Sequence, residues 1–378
     1  MDEIRMVDLK GQYAFIKEEI HQGLDQIFQD TDFINGKAVA QFQSKLETYL
    51  GVRHVIPCAN GTDALQIALM ALDLAPGDEV ITADFTFAAT VEVIALLNLK
   101  PVLVDVDPKT FNIDPQAVAK AITPKTKAII PVHLFGQAAA MEPLLAIAKE
   151  HGLFVVEDNA QGIGATYTFL DGKKVKTGAL GTIGTTSFFP SKNLGAYGDG
   201  GALFTNDDAL AQKIRGIVNH GMYERYYHDI VGVNSRLDSL QAAILTVKLN
   251  YLDFYNEKRK AAALAYTQRL KDHPQLLTPH REKDCDSHVF HQYTLRLTNS
   301  KRDALAAYLQ AQKIPYGIYY PVPLHQQKAY SHYGFKEADF SVTNQLVKEV
   351  ISLPMHTELS IPQIEFICTH ILKFLQDA

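Results

Sequence analysis

The chain has 378 residues, 47% of them hydrophobic and 21% charged, a soluble globular balance with length enough for one large and one small core. Its formal net charge of -6 gives no electrostatic reason to pair it with nucleic acid or an anionic membrane. The dispersed cysteines Cys58, Cys285 and Cys368 read as reduced structural thiols, the N-terminal stretch lacks a secretion signal's apolar region, and no run approaches the ~18 apolar residues of a membrane span; a cytoplasmic protein is expected.

Residues 11–30 place Phe15, Ile16, Ile20, Leu24, Ile27 and Phe28 on one helical face. A second helix follows Gly36, with Val39, Phe42, Leu46, Tyr49 and Leu50 as its stripe. His54–Ala59 reads as a strand, Asn60–Thr62 as a turn and Asp63–Leu72 as a buried helix. Alternation follows: strand Glu79–Thr82, helix Phe87–Leu97, strand Pro101–Val106, a helix from Pro115, strand Lys127–Val132, helix Met141–His151 and strand Leu153–Val156. This rhythm implies a parallel or mixed sheet covered on both faces, with ligands at the carboxyl ends of its strands. Polar clusters occupy three such ends: Asn60–Asp63, Asp158–Gln161 and Ser187–Lys192.

The run Thr182–Phe189 is strand-like and is broken by Pro190; Ser191, Lys192 and the glycines 195, 198, 200 and 201 follow. A helix is expected from Asp207 to about Asn219, then a stretch rich in Tyr, His and Arg, then long helices Ser239–Leu252 and Asn256–Leu270. Beyond a boundary near Tyr251–Tyr255 come strand His288–Leu297, helix Asp303–Gln312, strands Tyr316–Tyr320 and Val350–Leu353, and helix Ile361–Leu375. The expected class is α/β: a large mixed-sheet α/β/α domain over 1–252 and a smaller C-terminal α+β domain over 253–378.

No GxGxxG follows a strand, and GxxxxGK[ST], HExxH and GxSxG are absent, so nicotinamide, P-loop and common hydrolase chemistries have no support. His133, His220, His325 and His356 stand at no metal-ligand spacing. An amine, an acid and an anion cradle remain. Asn60-Gly61-Thr62-Asp63 opens a helix, where N–H groups and the Thr62 hydroxyl suit a phosphate; a plain cap by Thr62 or Asp63 fits as well. Asp158 ends a buried strand and needs a cation or several donors; a protonated pyridine nitrogen serves, and so does a capped turn. Lys192 reads equally as a surface lysine or as an amine held in a cleft, where desolvation lowers its pKa. Phe87 suits either the core or a stack on a cofactor ring.

Five segments carry a resemblance: Asn60-Gly61-Thr62-Asp63-Ala64-Leu65, Glu157-Asp158-Asn159-Ala160-Gln161, Ser187 to Gly195, Gly198-Asp199-Gly200-Gly201, and Gly232 to Asp238. In this order they resemble the nucleotide-sugar aminotransferases of the DegT/DnrJ/StrS family, over essentially the whole chain. The resemblance implies a type I pyridoxal-phosphate fold, usually a homodimer with shared active sites. It implies Lys192 as the Schiff-base lysine and proton carrier, Asp158 as partner of the pyridine nitrogen, and Gln161 on the phenolic oxygen. Phe87 matches the stacking aromatic. Gly61, Thr62 and Ser187 match the phosphate cradle, and Asn234 an asparagine reaching the phosphate from the other subunit. Lysine at 192, where dehydratase relatives carry histidine, implies transamination, with pyridoxamine phosphate as the cofactor's second form and glutamate as donor.

Within the family, Arg225 to Arg236 looks most like the enzymes that aminate the 3-keto group of a UDP-linked 2-acetamido hexuronic acid for surface polysaccharide. Arg236 suits the sugar carboxylate. Tyr319 and Tyr320 are expected at the substrate, with one departure: Tyr319 stands where those enzymes carry histidine. A dTDP-linked 3-keto-6-deoxy sugar is the alternative substrate. A non-catalytic regulator of the same fold is the alternative of another class, and a lyase of the same fold a third reading.

Overall fold

The computed structural model describes residues 3–281, 285–298 and 300–377. Helix α1 (Leu9–Asp30) starts where the Asp8 carboxylate accepts the Gly11 N–H, and its stripe buries Ile16, Ile20 and Ile27. After α2 (Lys37–Leu50) the chain alternates: β1 (His54–Cys58), α3 (Gly61–Ala71), β2 (Glu79–Ala83), α4 (Ala89–Leu96), β3 (Lys100–Val104), α5 (Pro115–Ala121), β4 (Thr126–Ile130), α6 (Met141–His151) and β5 (Phe154–Asp158). A hairpin of β6 (Thr166–Thr168) and β7 (Lys174–Lys176) precedes β8 (Ile183–Ser187), β9 (Gly201–Thr205) and α7 (Asp208–Ile217). A second hairpin, β10 (Met222–Glu224) and β11 (Tyr227–His228), leads to α8 (Ser239–Leu249).

Seven strands form one mixed sheet in the order β1-β9-β8-β5-β4-β2-β3. β2 to β5 and β8 pair in parallel, whereas β9 runs antiparallel to both β8 and β1. The carboxyl ends of β1, β5 and β8 therefore meet along one rim. Strands β2 and β5 are buried along nearly their whole length because helices cover both faces. The core includes Ile67, Val93 and Ile214 on one side and Ile81, Ile129 and Leu144 on the other.

The second part begins with α9 (Leu252–Leu270), separated from α8 by two residues. Then follow β12 (Leu276–Leu277), β13 (Tyr293–Leu297), α10 (Arg302–Ala311), α11 (Ser341–Glu349), β14 (Val350–Leu353) and α12 (Ile361–Asp377). Strands β12, β13 and β14 make an antiparallel sheet packed with α9 and α12 around Tyr266, Tyr293 and Leu353. The large mixed sheet and the smaller α+β part are those the alternation implies. Among the described residues no helix is long and apolar enough to cross a membrane. Cys58 and Cys368 are buried free thiols, and the side chain of Cys285 lies outside the described residues.

Three expectations need correction. Tyr316–Tyr320 is not a strand: it touches a sheet only through the Gly317–Ser352 bridge and then turns toward the cavity. The predicted strand His288–Leu297 is ordered as β strand only from Tyr293, since His288 and Val289 bond instead to the Gly136–Gln137 turn. Helix α4 starts at Ala89, leaving Phe87 outside it.

Candidate active site

A cavity of about 670 Å³ lies along the rim where β1, β5 and β8 end. Gly61, Thr62, Phe87, Asp158, Gln161, Ser187, Lys192, Tyr319 and Tyr320 all line it. Asn234 and Arg236 do not line it in the single chain: Asn234 is exposed and Arg236 half-buried.

The wall at β1 is built by Asn60. Its extended backbone turns into α3, and its side-chain oxygen accepts the Asp63 N–H at 2.8 Å. The cap is thus Asn60, not Thr62 or Asp63. No hydrogen bond is made by the N–H groups of Gly61 and Thr62 among the described residues, and both lie at the positive end of the helix dipole. Gly61 is required here because a Cβ would lie 2.6 Å from the Ser187 Cβ on the neighbouring rim. The buried Ser235 hydroxyl accepts from the Ala59 N–H at 3.0 Å and donates to Asp63 at 2.6 Å, tying the Asn234–Arg236 stretch to this cradle.

Two carboxylates end β5. Glu157 points into the protein, where it accepts from the backbone N–H of Gly178, Leu180 and Gly181 and from His133. Because the Ala139 N–H donates to His133 Nδ1, the His133 proton sits on Nε2, facing Glu157. Asp158 points the other way. Its Oδ2 accepts from the Thr90 hydroxyl at 2.8 Å and its Oδ1 from the Ala160 N–H at 3.2 Å. Those donors orient the carboxylate without neutralising it.

Lys192 follows β8 in the loop closed by hydrogen bonds from Phe188 to Gly200 and from Ala196 to Phe188, both 2.7 Å. Its half-buried side chain lines the cavity, and burial lowers its ammonium to about 8 against the opposing pull of Asp158. Gln161 is fixed at both ends: its oxygen accepts from the Phe135 N–H at 2.6 Å and its nitrogen donates to the Tyr320 hydroxyl at 3.3 Å. Burial pushes the Tyr320 phenol up, so it stays neutral. Phe87 is 58% exposed, a ring presented to the cavity rather than to the core, 6.3 Å from the Tyr320 ring. Sequence reasoning passed over Thr90, Asp84, Asn193 and His291. Asn193 lay inside a quoted motif, but nothing in its spacing announced a contact to His291, 98 positions away.

Over 372 residues, 98% of each chain, this protein is 50% identical to one from Geobacillus stearothermophilus named pleiotropic regulatory protein. It is 47% identical over 365 residues, 97% of this chain and 98% of the relative, to UDP-2-acetamido-2-deoxy-3-oxo-D-glucuronate aminotransferase of Pseudomonas aeruginosa. A crystal structure of a DegT DnrJ EryC1 StrS aminotransferase from Brucella abortus superposes with a TM-score of 0.92 at 42% identity, covering 98% of this chain and 99% of that one. The architecture is the type I pyridoxal-phosphate-dependent transferase fold. The model of the DegT/DnrJ/EryC1/StrS aminotransferase family matches residues 14–372, and the chain belongs to that family.

Proposed function

We propose that this chain aminates a nucleotide-linked keto-sugar, UDP-2-acetamido-2-deoxy-3-oxo-hexuronic acid, taking the amino group from L-glutamate through pyridoxal phosphate, in the cytoplasmic synthesis of surface polysaccharide. The observation that carries this reading is the meeting of Lys192, Asp158 and the Gly61–Thr62 helix start on one cavity. These residues fit the cofactor. Two unpartnered N–H groups and the Ser187 hydroxyl suit its phosphate, and a Cβ at Gly61 would fill the cradle. An oriented carboxylate suits its ring nitrogen, and the exposed Phe87 its face. Bound there, pyridoxal phosphate supplies an electron sink for the carbanion left when an α-proton departs.

The protein's share is positioning and proton transfer. Lys192 Nζ holds the cofactor, then takes the proton from the donor's α-carbon, which requires the neutral amine that burial favours. Asp158, steadied by Thr90, keeps the ring protonated. Gln161 and Tyr320 shape the wall facing the substrate. Asn234 and Arg236 act across a homodimer, Asn234 on the phosphate and Arg236 on the sugar carboxylate; their placement off the chain's own cavity wall supports this. The division into a cofactor-binding domain, 1–252, and a small domain, 253–378, belongs to the same reading and rests on the two-residue break before α9 and the separate core around Tyr266.

The test is spectral. Adding L-glutamate to the purified, cofactor-loaded protein should convert its absorbance, and a UDP-linked 3-oxo-hexuronate should reverse the change. Lys192→Ala should lose turnover while keeping bound cofactor. A purely regulatory reading draws on the name of the Geobacillus relative; it expects no spectral change with any common amino donor.

A further inference from the structure

Position 317 is glycine for a reason other than backbone freedom. Its φ lies outside the left-handed region, so a residue with a side chain could adopt the same backbone. What Gly317 spares is a neighbour. A Cβ built on it would lie 2.5 Å from Cε2, 2.7 Å from Cζ and 2.8 Å from Oη of Tyr319, well inside the roughly 3.5 Å of ordinary carbon contact. The outer half of the Tyr319 ring therefore lies against a bare Cα.

The surroundings leave the ring as the part that yields. Gly317 is held in both directions by Ser352 of β14: its N–H donates to the Ser352 carbonyl at 3.0 Å, and its carbonyl accepts the Ser352 N–H at 2.7 Å. Tyr320, the next residue along, is fixed through its hydroxyl by Gln161, and its ring packs edge-on to Phe85 with centroids 6.0 Å apart. Tyr319 has no such restraint. Its hydroxyl makes no hydrogen bond among the described residues, and its half-buried ring lines the cavity. The ring also packs against the core cluster that includes Phe85 and Phe135, so the cavity is the open direction. A methyl at 317 would drive the ring about 1 Å that way, because the packed side cannot give.

We propose that Gly317 is a specificity-determining positioning residue: it lets the Tyr319 ring lie back and so sets the width of the cavity where the sugar binds. This rests on the reading of Tyr319 as a substrate contact of a keto-sugar aminotransferase. The pair gives the wall a full phenol, with a free hydroxyl for the sugar's oxygens, in the depth that a methyl at 317 would take. The demand falls on the larger substrate. A nucleotide-linked sugar fills more of the cavity than glutamate, which must bring only its α-carbon to Lys192. Narrowing the wall at Tyr319 therefore discriminates against the sugar.

The experiment uses the full-length, cofactor-loaded protein and follows each half-reaction by its absorbance change, with L-glutamate and with a UDP-linked 3-oxo-hexuronate. Gly317→Ala should raise KM for the sugar about tenfold and leave kcat and the glutamate half-reaction within about twofold. Tyr319→Leu ends short of every atom that the methyl would meet. In that background, adding Gly317→Ala should leave the sugar KM where Tyr319→Leu alone puts it. An equal rise in both backgrounds overturns the proposal, because the methyl then acts through the main chain rather than through Tyr319. No rise in either overturns it as well. Should Gly317→Ala alone fail to fold, the double variant decides: a folded protein with the sugar KM of Tyr319→Leu supports the proposal, and renewed misfolding overturns it. A wild type that glutamate leaves spectrally unchanged defeats the transaminase reading itself. A wild type that converts, with the sugar KM unmoved in Gly317→Ala, defeats this inference alone.

Discussion

His325 donates twice to Asp84, from its main-chain N–H at 2.7 Å and from its ring at 2.6 Å. Asp84 is fully buried just beyond β2, and its carbonyl also receives the Leu324 N–H. The pair pins the far end of the loop bearing Tyr319 and Tyr320 to the segment bearing Phe87. The Gly317–Ser352 bridge pins the near end.

Asp84→Ala should therefore lose roughly 2–4 kcal/mol in urea denaturation, since it leaves buried donors unmet, and Asp84→Asn should lose less. The pair also carries a pH signature. Burial raises the Asp84 carboxyl to about 6, with His325 pulling the other way. The folded value lies above the unfolded one, so the fold favours the protonated acid. That contribution is full below about pH 4 and is lost as pH rises through 6. The stability of the wild type relative to Asp84→Asn should fall by ~1–3 kcal/mol between pH 4 and pH 7, measured by denaturant melts at each pH.

Gly61→Ala should be costly because the new methyl meets Ser187. A loss of roughly 1–3 kcal/mol and weaker cofactor binding are expected. Ser187→Gly in the same chain should recover much of the stability but not the affinity, because it removes both the clash and a hydroxyl of the cradle. A double-mutant cycle on thermal midpoints and cofactor titrations checks both halves.

Asp158→Asn should lower the titration midpoint of Lys192 further below 8, because the removed charge is what opposes burial at that amine. Acetic anhydride labelling of the cofactor-free protein across a pH series, read by mass spectrometry, measures that midpoint. The same change should weaken cofactor binding, while Thr90→Val should act on binding in the same direction by a smaller factor. An unchanged Lys192 midpoint in Asp158→Asn would show that the two groups do not sense each other.

If Asn234 acts on its partner's cofactor, chains carrying Lys192→Ala and chains carrying Asn234→Ala should each be inactive and regain activity when mixed. Random reassociation leaves one intact site in each hybrid, so roughly a quarter of the wild-type rate is expected. No recovery on mixing places Asn234 in its own chain's site. In the same assay Arg236→Ala should narrow the preference for uronic over neutral keto-sugars.

The sequence read best where burial is two-sided. The strands from Glu79 to Asp158 are apolar runs between helical stripes, and each appears within a residue or two of its expected place. It read poorly where a segment answers to a distant partner. Tyr316–Tyr320 alternates like a strand, but Pro321 and Pro323 and the pull of Asp84 on His325 draw it away from the sheet. Phe87 has the pattern of a helix start, yet the cavity claims it. Asn60 caps α3 from one residue earlier than the hydroxyl and acid that drew attention. The cavity residues were legible as motifs; the bonds of the Asn193 amide to Asn256, Val289 and His291 were not, because they span from 63 to 98 positions.

The reversed strand β9 has a consequence for tolerance to change. Gly201 sits in one cross-strand row with Ser187 on one side and Cys58 on the other. The loop that carries Lys192 is therefore a hairpin connection whose length is gauged by the sheet. A one-residue insertion between Ser187 and Gly201 would either bulge the lysine away from Asp158 or slip β9, turning each of its side chains to the opposite face. The same insertion in the exposed turn between β6 and β7, around Asp171 and Gly172, would disturb neither. The sheet thus acts as a ruler for the chemistry: lysine and phosphate cradle keep their spacing together or lose it together.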